Sequence, residues 1–218
     1  MSRSVPARDH GHERYDYWRY AGRDWRWFEP ILDRMHPASP VLDVGCGLGF
    51  FAECCRRHGI EAVGVELSLE GVAGCRARGV PVVRADLAVP FPFRDEAFGS
   101  ALAHHVLEHV PLEVERSVLR EIHRVLRPGG FLFAISPNTH HPRAREDPDH
   151  RNLFTPHALA GELHRAGFTR VSLATNYWLP VWDRQLQMGR LGSLLAGILW
   201  KIAPVDRFAA SASALAWR

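Results

Sequence analysis

The stretch of residues 41–50, VLDVGCGLGF, constrains the fold of this 218-residue chain more than any other segment. Three apolar residues around one acid predict a short buried strand, and the alternating glycines that follow predict a tight turn. Residues 51–58, FAECCRRH, then predict a helix. A glycine turn between a strand and a helix lets a ligand approach the backbone and the exposed N–H groups of the helix closely. We therefore expect a ligand to bind at this junction.

The spacing of the glycines narrows the kind of ligand. Gly45, Gly47 and Gly49 form the pattern GxGxG. A dinucleotide fingerprint places its third glycine one position later, where this chain has Phe50. The usual pyrophosphate-binding turn is therefore disfavoured.

Two acids follow at the ends of the next predicted strands. Residues 61–66, EAVGVE, predict a second strand that ends at Glu66, and residues 80–86, VPVVRAD, predict a third that ends at Asp86. A carboxylate at the tip of strand two accepts both hydroxyls of a ribose in doubly wound folds. Asp86 is placed to accept a hydrogen bond from an adenine amino group. Together these acids favour a nucleoside-containing ligand.

From about residue 41 to residue 168 the chain resembles the class I S-adenosylmethionine-dependent methyltransferases, in the branch called the methyltransferase 11 type. Residues 41–49 resemble the first motif of the family, and residues 98–110 resemble its fourth strand with the LEHV segment. LRPGG at 126–130 resembles the family's LKPGG turn, and residues 131–138 its fifth strand. One departure is Gly99, where the family usually has Asp. Because that Asp mainly supports structure, we expect its loss to matter little.

The resemblance implies an α/β fold, a Rossmann-like doubly wound seven-stranded sheet that is mostly parallel with an antiparallel last strand. The alternation of predicted strands and helices from residue 41 agrees with it. We expect a helix at 112–126 that Pro128-Gly129-Gly130 stops, and another from Thr155-Pro156 through Arg165. Strands six and seven are expected at 168–175 and 211–218.

Three regions follow from this reading. Residues 1–36 are a tail and an aromatic cap segment, in which Tyr17, Tyr20, Asp24, Trp27 and Phe28 share one helical face. Residues 37–175 are the cofactor-binding core. Residues 176–218 add an apolar helix and the last strand of the same domain.

The resemblance also implies S-adenosyl-L-methionine as the cofactor. Glu66 and Asp86 fall at the family's ribose and adenine positions. His104, just past strand four, is expected to approach the methionine portion. The implied cofactor-binding residues are Asp43, Gly45, Cys46, Gly47, Gly49, Glu66, Leu67, Asp86, Leu87 and His104.

Catalytic residues are harder to identify from sequence. In methyl transfer the cofactor carries the reactive group, so the protein mainly binds and orients. A general base helps only when the acceptor must lose a proton. His105 lies past strand four, where ligands bind in open α/β sheets, and His150 lies in the polar loop 140–152. We expect these two as base candidates, with His150 as the first choice because residues 149–152 lead directly into the helix that should border the pocket. The alternative is that this loop is an ordinary solvated one.

A metal site is not predicted. His105, Glu108 and His109 offer three ligands within five residues, which is geometrically feasible. However, LEHV occurs widely in members of the family without metal. His109 is therefore expected to be structural.

Composition bounds the remaining possibilities. Hydrophobic residues make up 46% of the chain and charged residues 23%, as in soluble globular proteins, and a net charge of +3 is too small to argue for nucleic acid. The four cysteines lack CxxC spacing, which predicts reduced thiols. No signal peptide is visible after Met1, so we expect a cytoplasmic protein.

The apolar run at 188–202 is shorter than the roughly 20 residues that a membrane span needs. We therefore expect no transmembrane segment. The run could cover the pocket or rest on a bilayer surface as a peripheral contact.

The leading hypothesis is a methyltransferase that acts on a small-molecule, lipid-like or glycan acceptor, with O-methylation as the first choice. A non-catalytic S-adenosylmethionine-binding partner subunit is the alternative. An NAD-dependent oxidoreductase is opposed by the GxGxG spacing, and RNA methylation by the modest charge. The sequence leaves the oligomeric state open.

Overall fold

The computed structural model describes residues 22–175 and 189–218, of which residues 189–193 are described by their backbone alone. Seven strands form one sheet: β1 (Val41–Val44), β2 (Ala62–Glu66), β3 (Val82–Arg84), β4 (Phe98–His104), β5 (Leu126–Ser136), β6 (Arg170–Leu173) and β7 (Ala212–Trp217). Their order is β3-β2-β1-β4-β5-β7-β6. The first five strands run parallel to one another, and β7 runs antiparallel to β5 and β6. The predicted Rossmann-like sheet is confirmed.

Helices connect the strands: α1 (Glu29–Met35), α2 (Phe50–Arg57), α3 (Leu69–Ala77), α4 (Leu112–Val125), α5 (Pro156–Arg165) and α6 (Gly189–Ile202). The start of α5 follows its sequence signal. The Thr155 hydroxyl accepts a hydrogen bond from the Ala158 N–H at 3.2 Å, and Pro156 occupies the first helical position. In α4 the residues at helical spacing, Val118, Leu119 and Ile122, are all buried.

Alternate residues of the central strands face two separate apolar layers, because successive strand side chains point to opposite sides of a sheet. Leu42 of β1 packs in one layer with residues of α4 and α5. Val41, one position earlier, packs in the other layer with residues of α1 and α2. Helices therefore cover both faces, which buries β1 and β4 and places their polar ends at the rim.

The LRPGG segment differs from its prediction. The helix ends at Val125, and β5 already begins at Leu126, which pairs with Phe98 before the register shifts. Pro128 disfavours helical backbone at the residue before it, so the helix ends early. The positive φ of Gly129, 76°, lies within this extended segment instead of in a separate turn. The strand is therefore longer than the sequence predicts.

The two edge strands are shorter than expected. β3 covers Val82–Arg84 instead of 80–86, and β6 covers Arg170–Leu173 instead of 168–175. Within the described residues each of them pairs with one neighbouring strand, at an edge of the sheet. Asp86 consequently lies in the turn after β3.

The carboxyl ends of the strands bring the predicted site together. Val44, the last residue of β1, pairs with Val65 of β2 on one side and with Ala103 of β4 on the other. The glycine turn, Glu66 and His104 therefore meet at one edge, where the strand order reverses. Ligands of open α/β sheets bind at such a switch point.

The division of the chain into residues 1–36, 37–175 and 176–218 stays a prediction. Tyr17 and Tyr20 of the aromatic segment lie outside the described residues, as does the stretch 176–188. Within the described parts, no helix is both long and apolar enough to traverse a bilayer.

Candidate active site

The turn after β1 requires glycine. Gly45, Gly47 and Gly49 have φ values of 66°, 54° and 82°, in the left-handed region that side chains disfavour. A Cβ on Gly45 would also lie 2.4 Å from Cγ2 of Val106, and one on Gly49 would lie 2.7 Å from Sγ of Cys75. Packing and backbone conformation therefore both require glycine at Gly45 and Gly49. The predicted tight turn is present.

Glu66 is tied to this turn. Its Oε2 accepts a hydrogen bond from the Gly47 N–H at 2.9 Å, and its Oε1 accepts one from the Ser68 N–H at 2.8 Å. A carboxylate oxygen has two lone-pair sites, so each oxygen can accept one more hydrogen bond. The half-buried carboxylate is therefore oriented and still able to bind two hydroxyl groups.

The other residues implied for the nucleoside lie around it. Asp86 is exposed in the turn after β3, where its Oδ1 accepts a hydrogen bond from the Ala88 N–H at 2.9 Å. Leu67 and Leu87 are half-buried. Cys46 connects the glycine turn to β2 and α3. Its N–H donates a hydrogen bond to the Val65 carbonyl, and its Sγ lies 3.6 Å from the Sγ of Cys75.

Asp43 is a buried acid beneath the turn. Its Oδ2 finds no hydrogen-bond partner among the residues that the structure describes. Burial raises the pKa of Asp43 to about 7, opposed by a hydrogen bond from the Ala52 N–H and reinforced by the charge of Glu66. A cation placed here would favour the carboxylate, since an opposite charge stabilises the ionised form.

His104 lies against the aromatic segment that precedes α1. Its ring centroid is 5.7 Å from that of Trp27 and 5.4 Å from that of Phe28, both edge to face. Burial lowers the pKa of His104 well below its usual value, and the charges of His105 and Arg23 lower it further. A neutral imidazole is expected at pH 7, in keeping with an aromatic cover at the end of β4.

His105 has strained backbone and an oriented side chain. Its φ is 53°, and its N–H donates to the Ile135 carbonyl at 2.8 Å. Its Nδ1 lies 2.8 Å from Oε1 of Glu108, whose side chain is fully buried. Burial alone would raise the pKa of Glu108, but the hydrogen bond and charge of His105 and the charge of His109 together lower it. Nδ1 therefore donates to a carboxylate, which leaves Nε2 as the basic nitrogen.

The loop after β5 is fastened to the same place. The Glu108 carbonyl accepts hydrogen bonds from the N–H groups of Arg151 and Asn152, at 2.7 and 3.2 Å. His150 donates from Nδ1 to the Ala144 carbonyl at 2.6 Å, and its ring centroid lies 5.0 Å from that of His109. The structure thus brings His150 and Glu108 together. Sequence reasoning missed this group, since no local pattern links residues so far apart.

Comparison with known proteins identifies the central part of the chain. Residues 42–134 match a family model described as a methyltransferase domain. Over 107 residues the chain is 34% identical to ubiquinone biosynthesis O-methyltransferase of Chromobacterium violaceum, covering 45% of this chain and 44% of that protein. Over 114 residues it is 32% identical to tRNA (carboxymethyluridine(34)-5-O)-methyltransferase of Arabidopsis thaliana, covering 50% of this chain and 26% of that protein. The chain spans less than half the length of these relatives.

A solved structure extends the comparison to nearly the whole chain. A SAM dependent methyltransferase from Archaeoglobus fulgidus superposes with a TM-score of 0.67, covering 93% of this chain and 97% of that one at 20% identity. Identity this low shows the fold alone, whereas the family match covers the glycine turn, both acids and the LEHV segment. Residues 42–134 are therefore similar to a methyltransferase domain, and over most of its length the chain shares the fold of a SAM dependent methyltransferase.

Proposed function

We propose that the chain transfers a methyl group from S-adenosyl-L-methionine to an oxygen atom of a small-molecule acceptor. The observation that carries the proposal is the pair of His105 and Glu108, which lies at the same sheet edge as the glycine turn. An oriented base is useful when the acceptor is a hydroxyl group, which must lose its proton.

The described residues fit the cofactor. Among the described residues, one oxygen of Asp43 has no hydrogen-bond partner and Glu66 keeps acceptor sites open. Together with the glycine turn, these acids offer the charge and close approach that an amino-acid-linked nucleoside needs. When bound, S-adenosylmethionine supplies an electrophilic methyl group on a sulfonium. The residues that we propose hold it are Asp43, Gly45, Cys46, Gly47, Gly49, Glu66, Leu67, Asp86, Leu87 and His104.

In this proposal His105 moves the proton. Its Nε2 accepts the proton of the acceptor hydroxyl, while the buried carboxylate of Glu108 holds the ring and stabilises the imidazolium that forms. The His105 side chain is 38% exposed, so the proton can pass on to solvent. His150 is the second candidate, because its Nδ1 also donates and leaves Nε2 basic. We rank it behind His105, the reverse of the order expected from the sequence, because its partner is a neutral carbonyl.

Three kinds of acceptor occur in the names of the relatives. Relatives are named for ubiquinone, demethylmenaquinone and tRNA. The modest net charge favours a small molecule over tRNA. Leu194, Ile198 and Ile202 of α6 are 60%, 44% and 75% exposed, which would suit a lipid-like acceptor and peripheral contact with a membrane. A cytoplasmic location stays a prediction.

The test separates binding from turnover. Calorimetric titration with S-adenosylmethionine, and separately with NAD, is expected to give binding of the first only. Release of S-adenosylhomocysteine is then measured with hydroxylated quinone precursors, glycans and tRNA. We expect turnover with a hydroxyl-bearing small molecule. Binding without turnover on any of the three would instead favour a partner subunit that binds the cofactor without catalysis.

His105→Gln and the matched variant His140→Gln refine the test. His140 is an exposed histidine of the loop after β5. We expect His105→Gln to lower kcat by roughly 10²- to 10⁴-fold, the usual contribution of a general base. Unchanged kcat would remove His105 from the proposal.

A further inference from the structure

One buried oxygen atom has no role in the proposed reaction. Glu108 is completely buried, and its Oε1 accepts the hydrogen bond from His105. Its Oε2 meets no hydrogen-bond partner in the described parts of the chain. A buried carboxylate oxygen without a partner carries a large desolvation cost, so such an atom needs an explanation.

Two imidazole rings lie next to this oxygen. Glu108, His109 and His150 each offer one donor atom, and the three atoms lie within 4.8 Å of one another. Tetrahedral coordination with bonds of about 2.0–2.1 Å separates donor atoms by roughly 3.4 Å. To bind one ion the donor atoms would therefore have to approach one another by no more than about 1.4 Å.

Each of the three side chains is already oriented by a second partner. His150 donates from Nδ1 to the Ala144 carbonyl, which leaves the lone pair of Nε2 free to bind. The His109 ring donates to the Asp149 carbonyl. Glu108 is held through its other oxygen by His105. Ligating histidines almost always donate their second nitrogen in this way, and ligating carboxylates are likewise hydrogen-bonded.

We infer that Glu108, His109 and His150 bind a divalent transition-metal ion of the Zn²⁺ type. Imidazole nitrogens favour such ions, whereas Mg²⁺ and Ca²⁺ prefer oxygen ligands. Three protein ligands leave a fourth position for water or an acceptor oxygen. This inference differs from the sequence analysis in two ways. The sequence does not predict a metal site. In addition, His105 orients the Glu108 carboxylate instead of binding the ion, and the third ligand is His150, 42 residues after Glu108.

The test uses Co²⁺ as a spectroscopic probe on the full chain after treatment with a chelator. We expect one equivalent to give the visible absorption of a tetrahedral site and to be displaced by Zn²⁺ but not by millimolar Mg²⁺. His150→Ala and Glu108→Gln are expected to weaken Co²⁺ binding by about 100-fold or more, and His105→Ala by about 10- to 100-fold, as for a partner that orients a ligand.

His140→Ala is the matched control, because this exposed histidine lies in the same loop but outside the cluster. It is expected to bind Co²⁺ as the parent does. If the parent, His150→Ala and His140→Ala bind equally, the ion is adventitious and the inference fails. His150 is only half-buried, so its variant is expected to fold and to decide the matter even if Glu108→Gln does not. The readout does not depend on methyl transfer, so either proposal can fail alone.

Discussion

Placing Asp at position 99, where the sequences that this chain resembles usually have it, should destabilise this protein. A Cβ on Gly99 would lie 2.6 Å from the Ala38 carbonyl oxygen and 2.9 Å from that of Ser39. Both are backbone atoms, and they cannot move away freely. The Gly99 N–H donates to the Pro40 carbonyl at 2.9 Å, and the Ser100 hydroxyl donates to the Ala38 carbonyl at 2.9 Å.

The size of the stability loss follows from the cost of overpacking a buried site. Forcing a methyl group into a packed site costs about 1–3 kcal/mol. For a chain of this length each kcal/mol corresponds to about 2–4 °C in Tm, so Gly99→Ala should lower Tm by roughly 2–12 °C. Gly99→Asp should lower it further, because its carboxylate would face two carbonyl oxygens away from water.

The assay is urea unfolding followed by circular dichroism, with thermal unfolding alongside. Gly161→Ala is the control, since a Cβ there meets nothing within 4 Å and α5 gains helix propensity of up to about 1 kcal/mol. That variant should be more stable than the parent. If Gly99→Ala lies within about 0.5 kcal/mol of the parent at an unchanged m value, the argument from backbone contact is refuted.

Further predictions concern the cofactor site and pH. Glu66→Gln should weaken S-adenosylmethionine binding by roughly 10- to 150-fold in calorimetry, since a hydrogen bond to a charged group contributes about 1.5–3 kcal/mol; unchanged affinity would show that the ribose is misplaced. Because the pKa of Asp43 is raised to about 7, binding of the cationic cofactor near pH 7 should release protons. The calorimetric enthalpy should then vary with the ionisation enthalpy of the buffer in the parent but not in Asp43→Asn, and no variation in the parent would contradict the placement of Asp43. Burial and the charge of Glu162 raise the pKa of Glu115 from 4.5 to about 8. The folded state then holds a proton that the unfolded state loses, so stability falls as pH rises from about 4.5 to about 8. Glu115→Gln should therefore gain stability relative to the parent between pH 5 and pH 8 in urea unfolding, and a constant difference would contradict it.

Much of the fold and part of the site follow from local patterns. The apolar run before Gly45 predicts a strand, and the glycines predict the turn, because both signals lie within ten residues. The ends of β2 and β4 follow in the same way, which is why Glu66 and His104 could be assigned to one sheet edge.

What could not be predicted depends on contacts between distant segments. The lack of space at Gly99 comes from the backbone of Ala38 and Ser39, which precede β1 and lie far from Gly99 in the sequence. The group of Glu108, His109 and His150 depends on how the loop after β5 folds back onto the turn after β4. No periodicity or residue spacing in the sequence predicts that these two segments are in contact.

The position of β7 between β5 and β6 has a consequence for biosynthesis. Both neighbours of β7 are made before it, and among the described strands β6 pairs with β7 alone. At about 5–20 residues per second, the ribosome needs roughly 2–8 s to make the roughly 40 residues between the end of β6 and the start of β7. During that interval the nascent chain carries an unpaired strand edge on β5, which is a template for wrong pairing. Slower translation of this interval should therefore raise aggregation during synthesis, while leaving the stability of the finished protein unchanged.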